Sequence, residues 1–192
     1  MKKLLLAAAV ASSLLGACAM SGPMATPASM SMSAPMVGGA AMYPSKDIID
    51  NAVNSKDHTT LVAAVKAAGL VDTLKGPGPF SVFAPTNASF AALPAGTVDT
   101  LLKPETKAML SNILTYHVVS GRVDSAALAQ MIRAGNGRAM LKTASGGTLV
   151  ATMSGSNVLI TDAKGGSATV TIADVYQSNG VIHVVNKVLL PG

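Results

Sequence analysis

Apolar residues recur with a helical period in the first half of the chain and alternate with polar residues in the second half. The helical period predicts helices at 46–53, 61–70, 97–102, 104–114 and 125–132. From Gly137 onward the period is two, and glycine-rich turns separate strands predicted at 138–143, 148–153, 157–161, 168–173 and 181–190. Helices followed by hairpin-connected strands predict an α+β fold with a mostly antiparallel sheet.

Residues 79–90 are predicted to lie at the centre of the hydrophobic core, because all three phenylalanines of the chain fall within them. Phe80 and Phe83 belong to a short alternating run that is typical of a buried strand, and Phe90 follows on a predicted helix. Aromatic side chains bury the largest areas per residue, so this cluster is the best candidate for the core.

Pro85 is predicted to end this strand, because proline cannot donate a hydrogen bond to a sheet. Thr86 or Asn87 then caps the helix that carries Phe90. Asn87 is therefore predicted to be a structural residue, and its replacement by alanine should lower stability by about 1 kcal/mol.

The first nineteen residues have the pattern of an export signal. Two lysines precede an apolar run of 12 residues, Leu4–Leu15, which is shorter than the roughly 20 residues of a membrane span and fits a secretory signal. Residues 15–18, with the sequence Leu-Gly-Ala-Cys, resemble the bacterial lipobox. Residues 1–17 are therefore predicted to be a signal peptide, and Cys18 is predicted to become the lipidated N-terminus.

The predicted location follows from this cysteine. Acyl chains contribute about 0.8 kcal/mol per buried CH₂, so a multiply acylated Cys18 would hold the protein on a membrane. Ala19 follows the cysteine where an aspartate would favour the inner membrane, so the outer membrane is expected, on its periplasmic or surface face. The alternative is ordinary cleavage after Ala19, which would leave a secreted or periplasmic protein.

Residues 18–42 are predicted to be a flexible tether of Met, Ser, Ala, Gly and Pro without charge. Thioethers are soft ligands that suit Cu(I), and Met30, Met32 and Met36 are candidates for such a site. The alternatives are that these methionines are apolar filler or sacrificial oxidation targets. No other metal site and no cofactor are expected.

Composition excludes several classes of function. The chain of 192 residues has 49% hydrophobic and 12% charged residues, which suits one folded domain with appendages. The net charge is +5, but the basic residues are scattered, so a nucleic-acid partner is not expected. The sequence lacks a nucleophile elbow and a phosphate loop, and its acidic residues are spread singly, so the protein is not expected to be an enzyme.

Three segments of the chain resemble the fasciclin domain, an extracytoplasmic module used in cell adhesion. Residues 80–90 and 179–191 resemble the two signature boxes of that family, and residues 114–119 resemble its tyrosine-histidine motif. The resemblance covers about residues 43–191. The matched signature positions are Phe80, Phe83, Ala84, Pro85, Thr86, Asn87, Phe90, Gly180, His183, Val184 and Pro191.

The resemblance implies a wedge-shaped β-structure surrounded by helices. It also implies an envelope-anchored or secreted module that binds a protein or polysaccharide surface component. In animal members the tyrosine-histidine region is tied to integrin binding, so Tyr116 and His117, on a strand predicted at 116–119, are the candidate partner contacts. Two alternatives remain: a periplasmic copper-binding or redox-buffering protein that uses the tether, and a small-ligand binder.

The three histidines are not expected to form a metal site, because no His or Cys pair has ligand spacing. His117 and His183 lie among Val and Ile, so each ring is expected to bond a nearby carbonyl or side chain. His58 is expected to be solvated at a helix entrance.

Overall fold

The periodicities of the two halves of the chain produce two kinds of element. The computed structural model describes residues 34–94 and 96–192. The helices are α1 (Ile48–Ala52), α2 (Thr59–Ala68), α3 (Val71–Lys75), α4 (Asn87–Ala91), α5 (Thr97–Leu101), α6 (Lys107–Tyr116) and α7 (Ser125–Ala134). The strands are β1 (Met36–Val37), β2 (Ala40–Ala41), β3 (Phe80–Pro85), β4 (Val118–Ser120), β5 (Arg138–Lys142), β6 (Thr148–Ser154), β7 (Asn157–Thr161), β8 (Ser167–Gln177) and β9 (Gly180–Val185).

One sheet of seven strands has the order β4-β3-β9-β8-β7-β6-β5. Strand β3 runs parallel to β9, and every other neighbouring pair is antiparallel. A bridge between Val119 and Thr143 brings the two edge strands, β4 and β5, together. The α+β fold with a mostly antiparallel sheet is therefore confirmed.

The hydrophobic core has two parts, and β3 contributes to both. Val82 and Ala84 belong to the part that contains α1, α2 and α6. Phe83 lies between them in sequence, points to the other side, and belongs to the part that contains α7 and strands β5–β8. Burying one large apolar side chain stabilises the fold by roughly 1.5–3 kcal/mol, so this strand contributes to the stability of both parts.

Strands β3 and β9 join the helical half of the chain to the sheet half. Their register places Phe80 beside Gly180 and Phe83 beside His183. A Cβ atom on Gly180 would lie 2.1 Å from the carbonyl oxygen of Phe80, so only glycine fits there. The predicted central position of residues 79–90 agrees with this pairing.

Several predicted element bounds are wrong, including the end of the strand predicted at 168–173, which extends to Gln177. Tyr116 ends α6 rather than beginning a strand, and its ring is buried against loops of the sheet that are distant in sequence. The last strand ends at Val185 rather than at residue 190. Its continuation is interrupted where the Asn186 side chain accepts a hydrogen bond from the amide of Thr169, at 2.8 Å.

The predicted tether extends too far toward the C-terminus. Residues 36–41 form the β1–β2 hairpin, and Val37 and Met42 are buried in the core. These two side chains gain burial from the helices, so this stretch belongs to the folded unit despite its simple composition. The predicted signal peptide, Cys18, Met30 and Met32 lie outside the described residues. In residues 34–94 and 96–192, none of the helices has the length and apolar character that a membrane crossing needs.

Candidate binding site

The signature residues lie side by side at the centre of the sheet. The ring of Phe83 stacks on the ring of His183, with centroids 5.5 Å apart. Ala84 and Val184 are neighbours in the same parallel pair and are both buried. These side chains hold β3 and β9 together, so they support the fold and offer no surface to a partner.

Thr86 and Asn87 cap two different helices. The Thr86 side chain accepts from the Ser89 amide, and the Ser89 hydroxyl accepts from the Thr86 amide, which forms a capping box on α4. The Asn87 side chain instead accepts from the amide of Thr60 in α2, at 3.0 Å, and donates to the carbonyl of Lys56, at 2.8 Å. Asn87 is structural as predicted, but it caps the neighbouring helix rather than its own.

His183 is fully buried, and burial lowers its pKa, against the opposing effects of the Val123 carbonyl and of Asp174 and Asp124. The ring is therefore neutral at pH 7, and its Nε2–H donates to the Val123 carbonyl at 2.8 Å. Its Nδ1 atom has no partner among the described residues. The expectation that this ring bonds a nearby carbonyl is confirmed.

His117 has both ring nitrogens satisfied by the backbone. The amide of Leu189 donates to Nε2 at 2.9 Å, so the hydrogen is on Nδ1, which donates to the Ile113 carbonyl at 2.8 Å. Burial lowers the pKa of this ring from 6.5 to about 4, although the Ile113 carbonyl and Asp162 act in the opposite direction. The neutral ring therefore ties α6 to the C-terminal segment.

Tyr116 connects α6 to two loops of the sheet. Its hydroxyl donates to the carbonyl of Thr148 at 2.9 Å and accepts from the amide of Ala163 at 3.0 Å. Burial raises the pKa of this hydroxyl, as does nearby Asp162, while the Ala163 amide lowers it. The phenol therefore stays neutral, and its hydrogen bonds connect α6 to the two loops of the sheet.

A groove lies between β4 and β5, with one side formed by α7. Its volume is about 220 Å³, and we call it the β4–β5 groove. It arises because the two edge strands meet only at the bridge between Val119 and Thr143. The lining residues include Val119, Val123, Met131, Met140, Leu141 and Lys142.

The chemistry of the β4–β5 groove is apolar at its base and cationic at its edge. Met140 is 73% exposed and Met131 is 39% exposed, so two long apolar side chains are accessible to solvent at the groove. Lys142 lines the groove, and Arg138 lies on the same exposed face of β5. Long, flexible methionines suit a surface that adapts to a bound segment.

Comparison with protein families identifies the family of this chain. The fasciclin domain model matches residues 56–191, which is most of the described chain. The chain belongs to the fasciclin domain family. The resemblance seen in the signature segments is therefore confirmed, and the groove lies on a fasciclin domain.

Individual relatives agree with this assignment. The chain is 45% identical to Protein sll1483 of Synechocystis sp. over 156 residues, which cover 81% of this chain and 79% of the relative. It is 31% identical to the cell surface glycolipoprotein MPB83 of Mycobacterium bovis, over 81% of this chain and 64% of that protein. A solved pair of FAS1 domains from the insect cell adhesion molecule Fasciclin I has the same fold, with a TM-score of 0.53 and 23% identity, over 68% of this chain and 43% of that one.

The predicted contact role of Tyr116 and His117 is wrong for the side chains of this fasciclin domain. Tyr116 is 1% exposed and His117 is 2% exposed, so a partner on the surface touches neither ring. Their hydrogen bonds all go to backbone groups of the same domain. In this domain the side chains of the tyrosine-histidine motif connect α6 to other elements of the fold.

His58 is buried rather than solvated, which corrects the expectation from sequence. Its Nδ1 atom lies 2.9 Å from the hydroxyl of Ser55, and Nε2 has no partner among the described residues. Burial lowers the pKa of this ring, while Asp57 and the Ala84 carbonyl raise it. The sequence around His58 does not predict this burial. The burial depends on an earlier segment of the chain, which includes Val37 and packs on the same core.

His58 and His117 also line a small apolar cavity of about 40 Å³. Pockets for organic ligands are typically about 300 Å³ or larger, so this cavity does not support the small-ligand alternative. Among residues 34–94 and 96–192, no three His, Cys, Asp or Glu side chains are grouped as for a metal ion. Met36, the third copper candidate, lies exposed at the start of β1.

The β4–β5 groove was missed from sequence, although one signal pointed to it. All three arginines of the folded domain, Arg122, Arg133 and Arg138, fall within the short span around α7. They are too few to form a basic run, and only the fold shows that this span adjoins a recess.

Proposed function

We propose that this protein is an exported binding module whose fasciclin domain connects the cell envelope to a protein or polysaccharide component outside the cytoplasm. The observation that carries the proposal is membership of the fasciclin domain family over residues 56–191. The description of MPB83 as a cell surface glycolipoprotein supports a position at the envelope. The exposed β4–β5 groove is the part of the described domain best suited to contact a partner.

The binding role is tested by attachment of whole cells. A strain that lacks the protein should attach less to surfaces and to other cells, and the full-length chain should restore attachment. A chain without residues 20–32 should restore it too, because the folded domain is intact. A chain without residues 34–192 should fail, and restoration by that chain would contradict the proposal.

The same strains test the copper alternative, which rests on the methionines of residues 18–42. If copper binding by the tether were the function, loss of residues 20–32 would lower copper tolerance and leave attachment unchanged. The binding proposal also predicts unchanged attachment, but it predicts equal copper tolerance with and without residues 20–32.

The membrane anchor belongs to the proposal as well, through lipid on Cys18 and retention at the outer membrane. The wild-type protein should incorporate labelled palmitate and sediment with membranes, while Cys18→Ala should lose the label and become soluble. An unlabelled wild-type protein whose mature chain begins at Met20 would show ordinary cleavage after Ala19 and contradict the anchor.

A further inference from the structure

The backbone edge of β5 is engaged at both ends. At one end, the amide of Arg138 donates to the carbonyl of Gly135 at 3.2 Å. At the other end, where β4 and β5 meet at their bridge, the amide of Ala144 donates to the carbonyl of Val118 at 2.7 Å. A partner of this part of the domain therefore contacts side chains rather than adding a strand.

The outward side chains of β5, β6, β7 and the start of β8 form a face that the rest of the described domain does not bury. Alternate residues of these strands point inward, where Leu128 and Ile132 of α7 belong to the same cluster. The residues between them are exposed or partly exposed. We call this surface the meander face, formed by the outward residues of 138–142, 148–154, 157–161 and 167–169. It shares Met140 and Lys142 with the β4–β5 groove.

The strand register places hydroxyl groups in rows across the meander face. In one row, Arg138 lies beside Thr152, and Leu159 lies between Thr152 and Thr169. Neighbouring strands are about 4.8 Å apart, so this row spans roughly 14 Å. The hydroxyl residues of the face include Thr148, Thr152, Thr161, Ser167 and Thr169. Each hydroxyl can donate one hydrogen bond and accept others, as the hydroxyls of a sugar do.

The meander face carries cations and no carboxylates. Residues 125–161 contain three basic residues and lack aspartate and glutamate. The next acidic residue, Asp162, is buried, and its side chain accepts hydrogen bonds from backbone amides. In the described part of the chain, the salt bridges all involve Lys75. The charges of Arg138 and Lys142 are therefore not neutralised within the described domain.

The spacing of these two cations suits a linear polyanion. Arg138 and Lys142 are four residues apart in β5, which places them about 13 Å apart along the strand. Met140 lies between them on the same side and is 73% exposed. A polysaccharide with a charge on successive sugars reaches both cations with one chain, while its C–H surfaces contact Met140.

We propose that the meander face binds an anionic polysaccharide, one that carries carboxylate or sulfate groups. Its anionic groups lie beside Arg138 and Lys142, because hydrogen bonds between ionised groups are stronger than neutral ones. Its hydroxyls form hydrogen bonds with the rows of threonine and serine. This inference rests on the proposed binding function and names the chemical class of its partner.

Other partners fit the meander face less well. A neutral polysaccharide leaves both cations without a counter-charge. A second copy of this chain, packed face to face, brings cations together without carboxylates, and like charges at an interface are costly. An acidic protein segment pairs with the cations, but its backbone meets a β5 edge that is already bonded at both ends.

Fluorescence anisotropy of the detergent-solubilised full chain tests the proposal, with labelled polygalacturonate as the carboxylated probe and labelled dextran sulfate as the sulfated probe. Saturable binding of at least one probe is expected. Raising the salt to about 0.5 M should weaken it, because exposed charges are screened. Unlabelled neutral dextran should not compete, and polyglutamate at the same concentration of charge should compete at least about tenfold less well than the unlabelled polysaccharide.

Matched charge variants distinguish the meander face from the net charge. Arg138→Gln with Lys142→Gln should weaken binding about tenfold, since two charge contacts are lost. Lys66→Gln with Lys103→Gln removes the same net charge at exposed positions in the helical half of the chain and should leave binding unchanged. Thermal melting of both variants checks that the fold is intact.

A second pair of substitutions tests the hydroxyl rows. Thr152→Val with Thr169→Val replaces two hydroxyls by methyl groups, and valine suits a strand. Binding should weaken about fivefold, because two hydrogen bonds to the sugar are lost. Its dependence on salt should stay as in the wild type, because Arg138 and Lys142 remain.

Three results would overturn the inference: no saturable binding of either probe, equal weakening by the two charge variants, or unchanged affinity of the threonine variant. Competition by polyglutamate as strong as that by the polysaccharide would overturn it in favour of an acidic protein. Each of these leaves the attachment phenotype of the deletion strain in place, whereas failure of the proposed function itself would appear as unchanged attachment.

Discussion

At the scale of single residues, Asn87 shows how one side chain joins two helices. It is the first residue of α4, but its side-chain oxygen Oδ1 accepts from the amide of Thr60 in α2. We expect Asn87→Ala to lower the free energy of unfolding by about 1 kcal/mol, because a helix cap is lost. Denaturant unfolding measures the change.

The matched control for this substitution is Asn112→Ala, since Asn112 is exposed on α6 and its side chain caps no helix among the described residues. It should be neutral or slightly stabilising, because alanine favours the helix. Loss of partner binding by Asn87→Ala with unchanged stability would show that Asn87 is a contact rather than a cap.

His117 makes the stability of the domain depend on pH. The unfolded ring takes up a proton near pH 6.5, whereas the folded ring does so only at about 4. As pH falls between these values the unfolded state binds more protons, so stability is present above pH 6.5 and is lost toward pH 4. The loss attributable to this ring is roughly 3 kcal/mol.

His117→Gln provides the comparison, because an amide can accept from Leu189 but does not titrate in this range. Unfolding by denaturant across the acidic range should show a shallower decline for the variant than for the wild type. Some decline should remain, since burial also lowers the pKa of His58 and of His183. Parallel curves for the two proteins would contradict the burial of His117.

At the scale of elements, the parallel pair of β3 and β9 depends on Gly180. A Cβ atom there would lie 2.1 Å from the carbonyl oxygen of Phe80, so Gly180→Ala forces the two strands apart. We expect it to lower the free energy of unfolding by about 2 kcal/mol or more. Thermal and denaturant unfolding measure the loss.

Gly165→Ala separates this clash from simple backbone strain. Gly165 has a φ of +80°, and a Cβ atom added there would meet no atom of the described residues within 4 Å, so alanine costs only the left-handed conformation. That cost is about 1 kcal/mol. An equal loss at both positions would show that strand contact does not limit residue 180.

The predicted elements agree with the structure where local pattern and tertiary packing coincide. The hairpin strands at Arg138–Lys142 and Asn157–Thr161 alternate cleanly between buried and exposed residues. Errors fall at Tyr116 and at the end of β9, where the Tyr116 and Asn186 side chains form hydrogen bonds with residues of other elements. Those partners are distant in sequence, so no local pattern contains them.

At the scale of the whole molecule, the folded domain begins within the stretch that looks like a tether. Met42 is 2% exposed in the core, and Met36 is 61% exposed a few residues earlier. We expect Met42→Ala to lower the free energy of unfolding by about 2–5 kcal/mol, because it leaves a cavity.

Met36→Ala is the control and should change stability by less than about 0.5 kcal/mol, as exposed positions usually do. Chemical unfolding of the full chain measures both variants. Equal, small effects would show that residues 34–42 contribute nothing to the core and that the tether extends as far as the sequence suggests.

The sequence by itself determined the family and the class of fold. Both depend on local information: the two periodicities, the short motifs at residues 80–90 and 179–191, and the turn residues between strands. Each of these can be read within a window of a few residues, because a helix or a hairpin satisfies its backbone locally.

Only the tertiary structure decided which residues are accessible. It buried Tyr116 and His117, and it brought Met131 of α7 and Met140 and Lys142 of β5 to one groove. The cause is that burial and clefts arise from packing between elements far apart in sequence. A surface site of this kind has no local sequence pattern. It is recognised only in the folded structure, where β4 and β5 meet at a bridge and lie apart beyond it.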